Sequence, residues 1–249
     1  MKITRKIVAI GGGELKTLET ADIDKRIIEL TGKTRPKALF IPTASGDAEG
    51  YVETFEACYG QDFGCQTRVL KLIQNPPAFE KMSALVLDSD LIYVGGGNTY
   101  SMMKIWRRLK LDTVLAEAAS RGIVLSGLSA GAICWFKYGH SDSRSFSENV
   151  AWDYIRVSGL GFINAVYCPH YHHERREDSF SKMIAKRGGI GIACDNNAAI
   201  EIVGDHYRVL TSTPNAKAYK LFKRKGRAIV TELPQDSEYI PLSDLLSRK

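Results

Sequence analysis

The amino-acid order predicts an α/β fold: a mainly parallel sheet flanked by helices on both faces, with a small antiparallel extension near the C-terminus. Three observations carry that expectation. From residue 6 to about 136, short β-rich runs alternate with segments of helical apolar spacing, the rhythm of strand, crossover and parallel strand. The segments that follow the runs are small and polar, as the ligand-facing carboxyl ends of an open α/β sheet are. A chain of 249 residues that is 44% hydrophobic can also bury a substantial core.

The first strand is Ile7-Val8-Ala9-Ile10, running into Gly11-Gly12-Gly13. Helical spacing follows from Ile23 to Leu30. Ala38-Leu39-Phe40-Ile41 is the second strand, Tyr51 to Tyr59 a helix, Arg68 to Leu72 a strand and Phe79 to Leu87 a short helix. Leu91-Ile92-Tyr93-Val94 is again a strand. Tyr100 to Ala119 holds one or two helices, and Ile123 to Ser126 is a strand leading into Gly127-Leu128-Ser129-Ala130-Gly131 and a helical stretch to Phe136. Beyond that the rhythm loosens. A polar stretch from His140 to Asn149 precedes a strand at Ala165 to Cys168, a helix at Phe180 to Lys186, a strand at Ile190 to Ala193, and two or three antiparallel strands between Ala199 and Thr231. No linker-like tract divides the chain and no segment repeats, so residues 1–249 are expected to form a single domain.

The run before Gly11 is too brief for a secretory or membrane segment, which makes the expected compartment cytoplasmic, with no membrane partner. Five cysteines form no C-x-x-C pair, the pattern of reduced, buried thiols and not of a disulfide framework or zinc knuckle. The net charge of +6 raises the question of a nucleic-acid partner. Much of the excess lies in Lys217, Lys220, Lys223, Arg224, Lys225 and Arg227. Alternation in Lys220-Leu221-Phe222-Lys223 fits a hairpin with one solvated face, and lysines on outer strands discourage edge pairing, so no nucleic acid is expected.

If the strands are parallel, six segments emerge on one rim: Gly11 to Glu14, Pro42 to Ser45, Gly95 to Asn98, Gly127 to Gly131, Pro169 to Tyr171 and Asp195 to Asn197. Glycine-lined backbone, a hydroxyl, an imidazole and a carboxylate are the inventory of covalent acyl transfer. Gly127-Leu128-Ser129-Ala130-Gly131 is a G-x-S-x-G sequence between a strand and a helical stretch, the setting of a nucleophile elbow; the competing use of Ser129 is as a helix N-cap. A serine hydroxyl needs a base. His170 stands nearest a strand end, whereas His140 and His206 fall in polar or turn segments where solvated roles are expected. His172 and His173 are candidate pocket residues. The H-x-H-H cluster cannot easily converge three rings on a metal, so none is expected. Asp195 shares the rim and is the first choice for the carboxylate that fixes the histidine tautomer, with Asp142 and Glu201 as rivals. The Ala130 N–H is the natural first oxyanion donor, and the loop Gly95-Gly96-Gly97-Asn98-Thr99 offers a second. Neither glycine loop has nucleotide-binding spacing.

With these residues placed, the chain resembles the family of serine peptidases that contains aspartyl dipeptidase (dipeptidase E) and cyanophycinase. The resemblance rests on Gly95-Gly96-Gly97-Asn98-Thr99, Ser129-Ala130-Gly131-Ala132, Pro169-His170-Tyr171 and the strand-terminal Asp195, in that order. It implies a fold like that of class I glutamine amidotransferases, with serine in place of cysteine at the elbow. It further implies Ser129 as nucleophile, His170 as base, Asp195 as orienting acid and Gly97 with Ala130 as oxyanion donors. Related sequences carry a carboxylate at the place of Asn196. Arg176 or Arg175 matches the arginine that meets the substrate's aspartyl carboxylate, and Asn98 and His172 complete the expected substrate-binding set. Leu128 stands where dipeptidase E has tryptophan, and the loop after His170 is shorter.

The expected activity is that of a serine exopeptidase on short peptides, with an N-terminal aspartate as candidate preference and no metal or organic cofactor. One alternative is a cyanophycinase- or amidase-like hydrolase of β-linked or side-chain amides. Another, from a different class, is a non-catalytic ligand or nucleic-acid binder.

Overall fold

Lys6–Ile10 (β1) is apolar at four consecutive positions, and Ile7, Val8, Ala9 and Ile10 are fully buried, which places this strand inside a sheet covered on both faces. In the computed structural model, which describes residues 4–146, 151–173, 176–235 and 238–248, the chain continues through Ala21–Glu29 (α1), Lys37–Ile41 (β2), Glu49–Phe55 (α2), Gln66–Val69 (β3), Phe79–Leu87 (α3), Leu91–Val94 (β4), Thr99–Leu109 (α4), Leu111–Ser120 (α5) and Val124–Leu128 (β5). Up to this point the elements follow the sequence expectation, except that β3 begins two residues and ends three residues earlier than expected and π-helical turns prolong α2 over Glu56–Asp62. There follow Ala130–Ile133 (α6), Phe136–Ser141 (β6), Ile155–Ser158 (β7), Ile163–Cys168 (β8), Arg176–Arg187 (α7), Ile190–Cys194 (β9), Ala198–Val203 (β10), His206–Thr211 (β11), Ala218–Arg224 (β12), Arg227–Glu232 (β13), Ile240–Pro241 (β14) and Leu242–Leu246 (α8).

The described strands form two mixed sheets. The larger has the order β14-β11-β10-β1-β5-β4-β2-β3; its β1, β5, β4, β2 and β3 are parallel, and β10, β11 and β14 extend it antiparallel. Side chains alternate between its faces: Ile7, Ala9, Leu39, Ile41, Ile92 and Val94 enter one core, and Val8, Ile10, Ala38, Phe40, Leu91 and Tyr93 the other. Helices α1 and α2 cover the second face through Ile23, Ile27, Val52 and Phe55. The first face is shared: α3, α4 and α5 pack on it through Met82, Met102 and Leu115, and so does the smaller sheet through Phe136, Tyr167 and Ile192.

That smaller sheet, β13-β12-β9-β8-β6-β7, is a departure from the expected single sheet. Helix α6 is one turn long, where a helical stretch to Phe136 was expected, and so short a crossover cannot return the chain to the first sheet in parallel. Instead β6 passes directly over it. A Cβ on Gly139 would sit 2.1 Å from Ile133 Cγ2, so the close crossing depends on that glycine. Strands β8 and β9 then add in parallel to β6 and to each other. The antiparallel segments expected between Ala199 and Thr231 divide: β10 and β11 join the larger sheet, and β12 and β13 form a hairpin on the edge of the smaller. Its outer face is covered by α7 through Phe180 and Ile184.

Residues 147–149 of the polar stretch lie outside the described residues, but His140 is not solvated: it is fully buried on β6. Lys220, expected on the hairpin's solvated face, is also buried, and its ammonium donates to the Asp244 carbonyl at 2.5 Å. The five cysteines are buried free thiols. Among the described residues no helix is long and apolar enough to cross a membrane.

Candidate active site

The chain enters the elbow from β5, whose residues are all buried. At Ser129 the backbone turns with φ 55 and ψ −110, a conformation costly for a residue with a side chain and found where neighbouring structure enforces it. The flanking glycines make the enforcement possible. A Cβ on Gly127 would lie 2.5 Å from the Gly131 carbonyl oxygen, and one on Gly131 only 2.0 Å from that of Val94. Ser129 is therefore an elbow residue, and the capping role weighed for it does not apply: its side chain makes no capping bond. Two residues at other strand ends also have positive φ, His170 at 50° and Asn197 at 64°.

Successive carbonyls at the end of β1 gather these segments. Ala9 accepts from the Tyr167 hydroxyl at 3.0 Å; Ile10 accepts the Ser129 N–H at 3.1 Å, Gly11 that of His170 at 3.2 Å and Gly12 that of Asn197 at 2.8 Å. Ser129 and His170 both line a cleft of about 530 Å³, with Gly96, Gly97, Tyr51 and Glu14. No hydrogen bond joins the two side chains across it.

His170 Nδ1 lies 2.6 Å from Asn196 Oδ1. Because an amide oxygen only accepts, the proton sits on Nδ1 and leaves Nε2 as the free base. Burial pushes the His170 pKa below its ordinary value, with Arg176 adding to the effect and the Asn196 bond partly opposing it; the imidazole is thus neutral at pH 7. Gly12 closes the back of the pair: a Cβ there would be 2.1 Å from Asn196 Oδ1 and 2.3 Å from His170 Nδ1.

Asp195, expected to orient His170, does not touch it. Its Oδ1 meets His172 Nδ1 at 2.7 Å and its Oδ2 accepts the Lys217 N–H at 3.2 Å. Adjacent residues at this strand end face different partners, and the one-residue difference gives Asn196 the position against the base. Neither rival acid is there. Glu201 is fully buried between Arg26 and Arg208, with bonds of 3.1 and 3.0 Å; Asp142 holds Arg176 at 2.5 Å.

The substrate-binding expectations fare unevenly. Arg176 is buried at the start of α7, against Asp142 and over the Tyr154 ring at 4.8 Å, so it does not reach into the cleft. Arg175 lies outside the described residues. Asn98 caps α4 by accepting from the Ser101 N–H at 3.0 Å and donates to the Ser143 carbonyl at 3.3 Å. His172 is exposed and shared between Asp195 and Glu177. Gly97 has φ 132 and passes so close to Ala44 that a Cβ would lie 2.2 Å from its carbonyl oxygen. Its neighbour Gly96 faces Ser129, with its Cβ position 3.5 Å from Ser129 Cβ, and donates its N–H to the Tyr51 hydroxyl at 3.3 Å. Sequence reasoning assigned no site role to Gly12, Tyr51, Glu14 or Lys16, and named Asn196 only as the place where related sequences carry a carboxylate. Gly12, Glu14 and Asn196 stood inside rim segments already singled out; nothing in the order of residues marks Tyr51 or Lys16.

Among the described residues no group of histidines, cysteines and carboxylates has the arrangement of a metal site. The model of peptidase family S51 matches residues 7–210. The chain belongs to that family. It is a hydrolase of the serine-peptidase type. It is 33% identical over 240 residues to the uncharacterized peptidase YgaJ of Bacillus subtilis (strain 168), covering 95% of this chain and 99% of that one. An uncharacterized peptidase of Listeria monocytogenes, Lmo0363, is 25% identical over 162 residues, or 64% of this chain and 76% of the relative. Among solved structures, a peptidase from an acI-B1 Actinobacterium has a TM-score of 0.73 at 23% identity, covering 97% and 98% of the two chains. A putative peptidase E protein from Listeria monocytogenes EGD-e has a TM-score of 0.64 at 19% identity, covering 84% and 98%. Both share the fold.

Proposed function

We propose that this S51 peptidase is an exopeptidase of the dipeptidase E kind that cleaves short peptides through Ser129, His170 and Asn196. The observation that carries the reading is the strained backbone of Ser129 opposite a neutral imidazole whose Nδ1 is already engaged. Ser129 Oγ attacks the scissile carbonyl carbon while His170 Nε2 takes its proton. Asn196 Oδ1 holds the Nδ1 proton throughout, as asparagine does in Cys-His-Asn proteases. The N–H groups of Ala130 and Gly97 receive the oxyanion; no backbone acceptor among the described residues takes either. Because α6 is a single turn, these two N–H groups supply the stabilisation and its dipole adds little. The imidazolium then protonates the leaving amine, and water, deprotonated by the same Nε2, releases the acyl group.

A cleft of about 530 Å³ matches a ligand of dipeptide to tripeptide size, inside the roughly 300–1,000 Å³ of small-molecule pockets. Glu14 lines it and offers a partner for a free α-ammonium. Lys16 lines it too, and with Arg176 bound to Asp142 it is the group that would meet an acidic residue at the amino end. Labelling by a fluorophosphonate, located by mass spectrometry, tests the nucleophile: Ser129 is the expected site, and Ser129→Ala is expected to abolish both labelling and hydrolysis of Asp-X dipeptides. Full hydrolysis by Ser129→Ala overturns the mechanism.

A further inference from the structure

At the end of the smaller sheet remote from the cleft, a second cavity of about 150 Å³ lies between the C-terminal end of α7 and strands β6, β7 and β8. Asn164, on its wall, precedes His170 by six residues along β8 and its continuation, about 20 Å at strand spacing. The cavity's charged lining residues are Lys137, Arg156 and Arg187, all cationic. Among the described residues none of the three makes an ion pair, in contrast to Lys33, Lys37 and Lys217, each of which has a carboxylate partner.

Arg156 is the centre of the arrangement. Its guanidinium stacks on the Tyr138 ring at 3.5 Å, which fixes its plane, and its Nε is buried without a hydrogen-bond partner. Burial, with the repulsion of Arg187 adding to it, lowers its pKa below the ordinary arginine value. Such crowding of like charge around a half-buried, unneutralised group works against folding. Arg187 also answers the dipole at the end of α7, but Lys137 and Arg156 have no such use. Asn164 adds a side-chain amide, and Gly188 and Gly189, both at positive φ, leave the mouth free of side chains. The volume is below that of pockets enclosing a drug-sized ligand and has room for one small charged group.

We propose that this cavity is a binding site for a single oxyanion, the phosphate or carboxylate group of a small molecule, held chiefly by Arg156 with Lys137 and Arg187. The site is separate from Ser129 and its chemistry does not depend on the peptidase reading. Calorimetric titration of the intact protein with inorganic phosphate, and separately with acetate, at constant ionic strength tests it. Saturable one-to-one binding of either anion is expected, the stronger of the two naming the group. Arg156→Gln is expected to weaken it about ten- to a hundredfold, the range of a lost hydrogen bond to a charged group. Arg187→Gln, at an exposed helix end, is expected to weaken it also, which keeps the test valid should loss of the Tyr138 stack unfold the first variant. Arg224→Gln and Lys225→Gln, at the exposed β12–β13 turn, are expected to leave it unchanged. Absence of saturable binding overturns the proposal. So does an equal loss in the turn variants, because that result means a diffuse basic surface that attracts polyanions.

Discussion

The position of Asn196 makes the sharpest prediction, because Asp195 and Asn196 are neighbours in sequence and only one of them faces the base. Asn196→Ala removes the acceptor at 2.6 Å from His170 Nδ1. Leaving a half-buried N–H without a partner costs about 1–3 kcal/mol, which corresponds to a loss in kcat/KM of roughly five- to 150-fold. Asp195→Ala removes a carboxylate that serves His172, and kcat/KM is expected to stay near wild type. Asn196→Asp substitutes an anion at the same place. The base works only when neutral, and burial holds the wild-type His170 pKa below its ordinary value, so wild-type activity persists as pH falls through about 6.5. An adjacent carboxylate favours the charged imidazolium and raises that pKa, and the acid limb of Asn196→Asp is expected at higher pH than that of the wild type. The assay is kcat/KM for one dipeptide substrate across the pH range, read as a free-enzyme profile. An unchanged Asn196→Ala with a crippled Asp195→Ala would refute the reasoning.

Gly12→Ala places a methyl 2.1 Å from Asn196 Oδ1; a displacement of about 1 Å in such a pair costs roughly a hundredfold in rate, to be measured as kcat alongside the melting temperature. His140 is fully buried, and burial lowers its pKa to about 3. Since the unfolded chain binds this proton from about pH 6.5 downward and the native state does not, stability is expected to fall with pH between about 6.5 and 3, by about 2 kcal/mol at pH 5; His140→Gln should flatten that part of a urea-melt series, and an unchanged slope would exclude His140 as its source. Burial disfavours ionisation of Glu201, but Arg26, Tyr239 and Arg208 outweigh it and lower its pKa. Glu201→Gln removes the buried carboxylate that Arg26 and Arg208 share, with an expected cost of about 3 kcal/mol and a fall of roughly 6–12 °C in melting temperature, while activity per folded molecule stays unchanged.

The larger sheet was legible because β1, β2, β4 and β5 are buried on both faces and read as unbroken apolar runs. The smaller sheet was not. Phe136-Lys137-Tyr138-Gly139-His140-Ser141 carries polar residues at three of six positions, and what makes it a strand is tertiary: His140 is satisfied by Ser179 at 2.9 Å and Gly139 clears Ile133. A histidine in a polar-looking run reads as solvated until the partner on α7 is known. Lys220 misled in the same way, since the carbonyl that accepts its charge lies 24 residues away. Local order reports propensity, and these residues are placed by contacts that local order does not contain.

In the site, residues set by backbone geometry were easier to find than those set by side-chain contact. The placement of Ser129 and His170 on one cleft could be read because each follows a recognisable strand. The partner of His170 depends on which of two adjacent side chains turns inward, and that is decided by β1: the Gly12 carbonyl accepts from Asn197, which fixes the register of the loop and aims Asn196 at the base. The same strand end holds the elbow through Ile10 and the base through Gly11. Ser129 and His170 belong to different sheets, so their spacing depends on how these sheets meet, and hydrogen bonds to consecutive peptide oxygens set that meeting more tightly than apolar packing alone would. A change that moves β1 by a fraction of an ångström is therefore felt at Ser129, His170 and Asn196 together, and substitutions at Gly11 and Gly12 should act on rate before they act on substrate affinity.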